Sequence, residues 1–259
     1  MTDRLRLRAG FDDVADLYDR VRPGYPAEII AELAASTGIR AGTRVLEIGC
    51  GTGQLTVPLL GLGADVTAVE IGPRLAAIAA AKTGARVVVA DFDSWAGPRA
   101  GFDVVVSATA FHWLDPDTRL PRIAALLRPG GALAVIDTYH VFGGSEAFFA
   151  AAQRAVYPRW LPGVDPAQPR PHADGIRHNH DLERGGLFGP TTFVRRTWDG
   201  DYTTAEYLDL LRTYSPTLDL PPRTRHGFLH DIGALIDTRH GGRITKRYLT
   251  ELRVALCAE

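Results

Sequence analysis

The sequence predicts a doubly wound, Rossmann-like α/β fold, and three observations predict it. The first is the stretch from Val45 to Thr56, where a short apolar run leads into three glycines at alternate positions. The second is recurrence. Further Val- and Ala-rich runs open near residues 64, 86, 102 and 132, with helix-like segments between them. Strands that alternate with helices imply parallel strands joined by crossovers. The third is that the run at 45–48 shows no polar alternation, as in a strand buried on both faces.

Composition bounds the function. A chain of 259 residues can bury a full core as one domain, or as one domain with a cap. The net charge of −1 gives no basic face for nucleic acid or an anionic membrane. Cys50 and Cys257 imply no disulfide framework. Residues 1–8 alternate charge and leucine and are expected to fray. No apolar segment follows them and no run approaches bilayer length, so neither a signal peptide nor a membrane span is expected. The expectation is a cytoplasmic monomer or homodimer with a small-molecule partner. Arginine greatly outnumbers lysine, which stands only at Lys82 and Lys246; coding bias accounts for that.

The elements follow in order. Phe11, Val14, Ala15, Tyr18 and Val21 have helical spacing, and Pro23 and Pro26 end that segment. Pro26 opens a helix over 27–37 and Gly38 closes it. The strand at 45–48 meets Gly49, Gly51 and Gly53. Glycine there permits positive φ and brings bare backbone close to a ligand. A helix starting at Gln54 would present free N–H groups and a positive dipole end to that turn. Yet Glu47 stands two residues before the first glycine, and a carboxylate beside a pyrophosphate repels it. A ligand with an ammonium group suits the turn better.

The second strand, 64–69, ends at Glu70, followed by Ile71 and a helix over 73–82. Ligands of doubly wound sheets sit at the carboxyl ends of strands. One carboxylate there can accept from both hydroxyls of a ribose, so Glu70 predicts a nucleoside and Ile71 a contact to its base. The third strand, 86–90, leads to Asp91, Phe92 and Asp93. The fourth, 102–107, runs through Ser107 and Ala108 into Phe111-His112-Trp113. Histidine is the side chain most easily poised as a base near neutral pH. A helix over 117–127 and the turn at 128–131 precede a fifth strand over 132–137. Thr138, Tyr139 and His140 are then expected at a strand end facing the pocket.

These motifs resemble, in consecutive order from residue 11 to about 139, the class I S-adenosylmethionine-dependent methyltransferases. The likeness is to small-molecule members of the type-11 kind, related to trans-aconitate methyltransferases. The resemblance rests on the Phe-Ala-Tyr-Arg-Pro-Gly-Tyr-Pro pattern of 11–26, Glu47 with its G-x-G-x-G turn, Glu70, Asp91 and the Ala-Phe-His-Trp segment. It implies a seven-stranded sheet with an antiparallel last strand. It also implies an N-terminal lid in which Tyr18 covers the methionine end of the cofactor or the methyl-transfer site. Arg22 either pairs with the cofactor carboxylate or makes a surface ion pair. Asp91 would accept from the adenine amine, with Asp93 as the competing carboxylate, and the backbone of Phe92 would donate to the ring. Ser107 and Ala108 would approach the cofactor amino group. His112 is the candidate base, with Tyr18, Phe111, Trp113, Tyr139, His140 and Tyr214 as candidate acceptor contacts.

Past residue 140 the pattern changes. A helix is expected over 144–156, and the proline-crowded 158–171 should be loop. His172, His178, His180 and Asp181 lack any recognised ligand spacing, so no metal is expected. A sixth strand at 193–198, a helix at 203–214 capped by Thr203 or Thr204, a helix at 223–238 and a last strand at 244–254 complete the chain. The resulting division has residues 1–139 as cofactor-binding core with lid, 140–190 and 202–241 as helical cap, and 191–201 and 242–259 as final core strands. Function then reads as methyl transfer to an aromatic or apolar specialised metabolite at carbon, nitrogen or oxygen. Carboxylate O-methylation, a silent cofactor-binding regulator and a nicotinamide-dependent oxidoreductase are the rivals. The glycine spacing and Glu47 count against the last.

Overall fold

The computed structural model describes residues 10–161 and 163–258. The expected frayed end, residues 1–8, lies outside the described residues. Seven strands form one sheet in the order β3-β2-β1-β4-β5-β7-β6. They are β1 (Arg44–Ile48), β2 (Asp65–Glu70), β3 (Arg86–Val89), β4 (Phe102–Ala108), β5 (Leu127–Gly144), β6 (Thr192–Thr203) and β7 (Arg243–Leu256). β1 pairs in parallel with β2 and β4. β2 pairs in parallel with β3, and β4 with β5. The last two strands are antiparallel at the sheet edge, as expected; Arg195 meets Glu251 and Arg247 meets Asp199 across them.

Alternation along each strand explains why the centre is apolar throughout. Leu46, Ile48, Val105, Leu133 and Val135 pack on one side with Leu120, Ile123 and Leu126 of the helix Arg119–Leu126. Val45, Val104, Val106, Ala134 and Ile136 pack on the other with Ile29 and Leu33 of the helix Ala27–Thr37 and Leu59 of the helix Thr56–Gly61. Successive side chains point to opposite faces, and both faces are covered. Gly38 and Gly84 close the helices before β1 and β3 with φ of 72° and 69°, as left-handed caps should.

The described residues fold as two compact units. The core unit comprises Pro23–Thr138, His178–Arg196 and the chain from Thr250 onward. The helical unit comprises the stretch up to Arg22, Tyr139–Arg177 and Thr197–Leu249. Phe148, Tyr207, Leu210, Phe228, Ile232 and Ile236 form the apolar centre of the helical unit. Its helix Thr204–Leu211 begins with a complete capping box between Thr203 and Glu206.

Several boundaries differ from expectation. β5 does not stop at Asp137 but continues to Gly144. Tyr139 and His140 therefore lie within a strand rather than at its end. The polar residues that suggested an end are satisfied by partners distant in sequence: Asp137 accepts from Arg253 at 2.7 Å, and the Thr138 and Thr250 hydroxyls lie 3.3 Å apart. The helix after the glycine turn starts at Thr56, not Gln54, whose side-chain amide donates to the Thr52 hydroxyl at 2.7 Å. The segment expected as one helix over 144–156 is Glu146–Ala151 followed by a wider π turn, Ala152–Val156.

Candidate active site

The carboxyl ends of β1, β2, β3 and β4 lie side by side in the core unit and bring the sequence motifs together. Gly49, Gly51 and Gly53 take φ of 72°, 57° and 90°, so all three occupy the left-handed region. At Gly49 a Cβ would stand 2.5 Å from the Ala110 Cβ. The turn thus passes the exit of β4 at a distance only glycine allows. Thr109, next to Ala110, has φ of 52°. That is an uncommon conformation for a β-branched residue, and strained backbone of this kind clusters at functional sites. Its amide donates to the Ile136 carbonyl at 2.7 Å, and its hydroxyl lies 2.9 Å from that of Tyr25.

Two carboxylates hold the turn. Glu70, buried at the end of β2, accepts from the Gly51 amide and the Gly72 amide, each at 2.9 Å. Its carbonyl accepts from Ala90 at 2.9 Å and so fixes the exit of β3. Glu47 is 1% exposed and accepts from the Thr56 hydroxyl at 2.6 Å. Burial pushes its carboxyl up to about 7, the Thr56 hydrogen bond opposes this, and the charge of Glu70 adds to it. Burial and the same two acids push the Cys50 thiol up as well. The turn is therefore an acidic place with no cation paired to Glu47 among the described residues.

The remaining core-unit candidates divide. Asp91 accepts from the Asp93 amide at 3.2 Å, whereas Asp93 accepts from the Asp115 amide at 3.2 Å and so ties the His112 segment to β3. The Phe92 ring is core, and its carbonyl accepts from Arg122 at 3.0 Å. Ile71 is half-buried after β2. Ser107 donates to the Ile48 carbonyl at 3.0 Å and locks β4 to β1; Ala108 ends that strand, buried. His112 is exposed on the 3-10 turn Phe111–Trp113, its ring 4.9 Å from that of half-buried Trp113. Phe111 opens that turn. Its ring is 1% exposed in the core, with the Arg119 guanidinium 4.2 Å from its centroid.

The helical unit gathers the others. Among the described residues Arg22 makes no surface ion pair. Its Nε donates to the Thr213 hydroxyl at 2.9 Å and its Nη2 to the Thr213 carbonyl at 2.5 Å, while the guanidinium lies 4.9 Å from the Tyr18 ring and 4.6 Å from the Tyr214 ring. His140 is 5.3 Å from the Tyr214 ring, and Tyr139 is half-buried beside it in the chain. Among the described residues no group of three or more His, Cys, Asp or Glu is placed to hold a metal ion. His178 instead meets Glu251, and His180 meets Glu183.

Comparison with known proteins decides the family. Residues 45–131 match the family model described as a methyltransferase domain. An uncharacterized methyltransferase of Mycobacterium tuberculosis is 35% identical over 134 residues, 51% of this chain and 54% of the relative. The chain thus spans about half the length of the first curated relatives it matches. An uncharacterized methyltransferase of Geobacillus kaustophilus is 34% identical over 156 residues, 56% of this chain and 72% of the relative. The chain belongs to the class I S-adenosylmethionine-dependent methyltransferase family. The fold agrees: a type II methyltransferase structure from Anaeromyxobacter dehalogenans superposes with a TM-score of 0.63 at 22% identity, covering 92% of this chain and 97% of that one.

The turn of this family member fits such a cofactor. An ammonium-bearing ligand supplies the cation that buried Glu47 lacks, and a pyrophosphate would meet two acids. Sequence reasoning missed three features. Thr109 and Tyr25 carry no signal of their contact. The buried pairing of Arg253 with Asp137 and Asp181 joins residues more than seventy positions apart. Lys246, one of two lysines, did stand out in the composition, but nothing local marked it as buried.

Proposed function

We propose that this chain transfers the methyl group of S-adenosylmethionine to a small-molecule acceptor. The observation that carries the reading is the glycine turn held between Glu47 and Glu70. When bound, the cofactor supplies a methyl group already made electrophilic by its sulfonium. The protein then has to bind, align and exclude water. Proximity and alignment can supply on the order of 7–11 kcal/mol. Glu70 holds the ribose hydroxyls and the turn together, and Ile71, Asp91 and Phe92 receive the adenine. Glu47, Gly49, Gly51, Gly53, Ser107 and Ala108 surround the amino-acid end. His112 holds or removes the acceptor's proton from its exposed position beside Trp113. An aromatic or apolar specialised metabolite is the acceptor this reading favours; the core unit offers it Phe111 and Trp113, and the helical unit Tyr18, Tyr139, His140 and Tyr214.

Calorimetric titration tests the cofactor. The protein is expected to bind S-adenosylhomocysteine and not NAD, and Glu70→Ala to lose that binding. Preference for NAD would overturn the reading. Once an acceptor is in hand, His112→Ala is expected to keep cofactor affinity and lower turnover by roughly 10²–10⁴-fold. Unchanged turnover would remove His112 from the mechanism.

A further inference from the structure

Lys246 of β7 is 3% exposed and lies wholly among aromatic groups of the helical unit. Its Nζ is 3.1 Å from the Tyr214 hydroxyl and within 5.7 Å of the ring centroids of Tyr207, Tyr214 and Tyr248. No carboxylate among the described residues pairs with it. A buried ammonium without a counter-ion is costly, and cation–π contact offsets only part of that cost. The neighbours sharpen the imbalance. His140 lies 5.3 Å from Tyr214 and 5.5 Å from Tyr248. Arg22 lies 4.6 Å from the Tyr214 ring and spends its hydrogen bonds on the neutral oxygens of Thr213. Arg170 faces the same region but has Glu146 as its ion partner. Among the described residues the cluster therefore holds three basic groups, Arg22, His140 and Lys246, and no acid of its own.

Accessibility supplies the second observation. The His140 side chain is exposed although Lys246 and Tyr248, beside it, are buried. A ligand reaching His140 would find the amine one ring deeper. Tyr248 is stacked on Trp198 at 4.4 Å and shares a 2.8 Å hydroxyl contact with Tyr202. Those contacts make a rigid flat wall. We propose that Arg22, His140, Tyr214 and Lys246 form a site for the anionic oxygen group of an aromatic acceptor, a carboxylate or a phenolate. This rests on the methyl-transfer reading for the ligand's role as acceptor, but the binding site stands on its own contacts.

The electrostatics agree. Burial, with the charges of Arg170 and Arg22, holds the Lys246 amine well below the usual lysine range. An acceptor oxyanion bound here would draw a solvent proton onto the Nζ lone pair. That leaves an oxyanion beside a Lys246 ammonium. The oxyanion is the nucleophile, and the proton returns to solvent after product leaves.

The test uses the full chain, with and without S-adenosylhomocysteine, and four probes of similar size: benzoate, 4-nitrophenol, benzyl alcohol and benzylamine. Benzoate and 4-nitrophenol are expected to bind at one site, with the neutral and cationic probes at least tenfold weaker. Bound 4-nitrophenol should show its phenolate band at a pH where the free probe is mostly phenol. Lys246→Met should weaken both acids at least tenfold and abolish that band while the protein stays folded, since replacing a buried charge by an apolar chain is often neutral or stabilising. The exposed His140→Gln is the second variant and should weaken both acids without unfolding risk. Equal binding by wild type and both variants would overturn the proposal, as would tighter binding of benzylamine than benzoate. Binding of S-adenosylhomocysteine with no acid probe bound would overturn this site and leave the methyl-transfer reading standing.

Discussion

Glu47 shows what one buried acid does to the whole stability curve. Its folded-state value near 7 lies above the ordinary 4.5, so the folded protein holds a proton that the unfolded chain releases. The sign follows. Stability from this group is complete below about pH 4.5, falls as pH rises, and is lost above about pH 7. The difference corresponds to about 3 kcal/mol. Glu47→Gln keeps the neutral shape and is expected to flatten that fall, measured as urea midpoints at about pH 5 and about pH 8. An identical pH slope in both proteins would show that Glu47 is ionised when buried. Thr109 makes a second residue-scale case. Left-handed backbone at a β-branched residue costs about 1–2 kcal/mol, and its Tyr25 contact returns about 1. Thr109→Gly trades one for the other and should leave stability nearly unchanged. Thr109→Val keeps the strain, loses the contact and should cost about 1 kcal/mol. A valine variant as stable as the glycine one would remove strain from the account.

At the scale of elements, the site depends on β1's turn passing close to β4's exit. Gly49→Ala would set a Cβ 2.5 Å from that of Ala110 and force φ of 72° on an alanine. Strain and overpacking together should cost roughly 3 kcal/mol in urea unfolding and weaken cofactor binding with it. Adding Ala110→Gly should recover the steric part and leave the backbone part. No recovery would mean the two elements do not meet as described. The local parts of this arrangement were readable in the sequence. Three glycines in five positions, an acid at or near the ends of the first three strands and left-handed helix caps are short-range signals. The course of β5 was not readable, because Asp137, Thr138 and His140 look like the polar end of a strand. They are polar because Arg253, Thr250 and Tyr248 meet them across the sheet. Partners a hundred residues away leave no mark on a local pattern.

Across the whole molecule, charge and ligand binding are linked. A net charge of −1 leaves little self-repulsion near neutral pH, so the protein is expected to be least soluble there and easiest to handle away from it. Two local clusters of like titratable groups nevertheless stand out. The core unit keeps Glu47 and Glu70 at its glycine turn, and the helical unit keeps Arg22, His140 and Lys246 among its tyrosines. Ligands that answer these two imbalances should each stabilise the folded chain by mass action, since neither set of groups is assembled in the unfolded state. At about one hundred times its Kd, S-adenosylhomocysteine should add about 2.7 kcal/mol. For a chain of this size that is a rise in Tm of roughly 5–10 °C. The shift should grow with the logarithm of ligand concentration, vanish in Glu70→Ala and be absent with NAD. Benzoate should give a separate rise that survives Glu70→Ala and disappears in Lys246→Met. If the two rises vanish together in either variant, the acidic and basic clusters are not independent sites, and they serve the fold rather than two ligands.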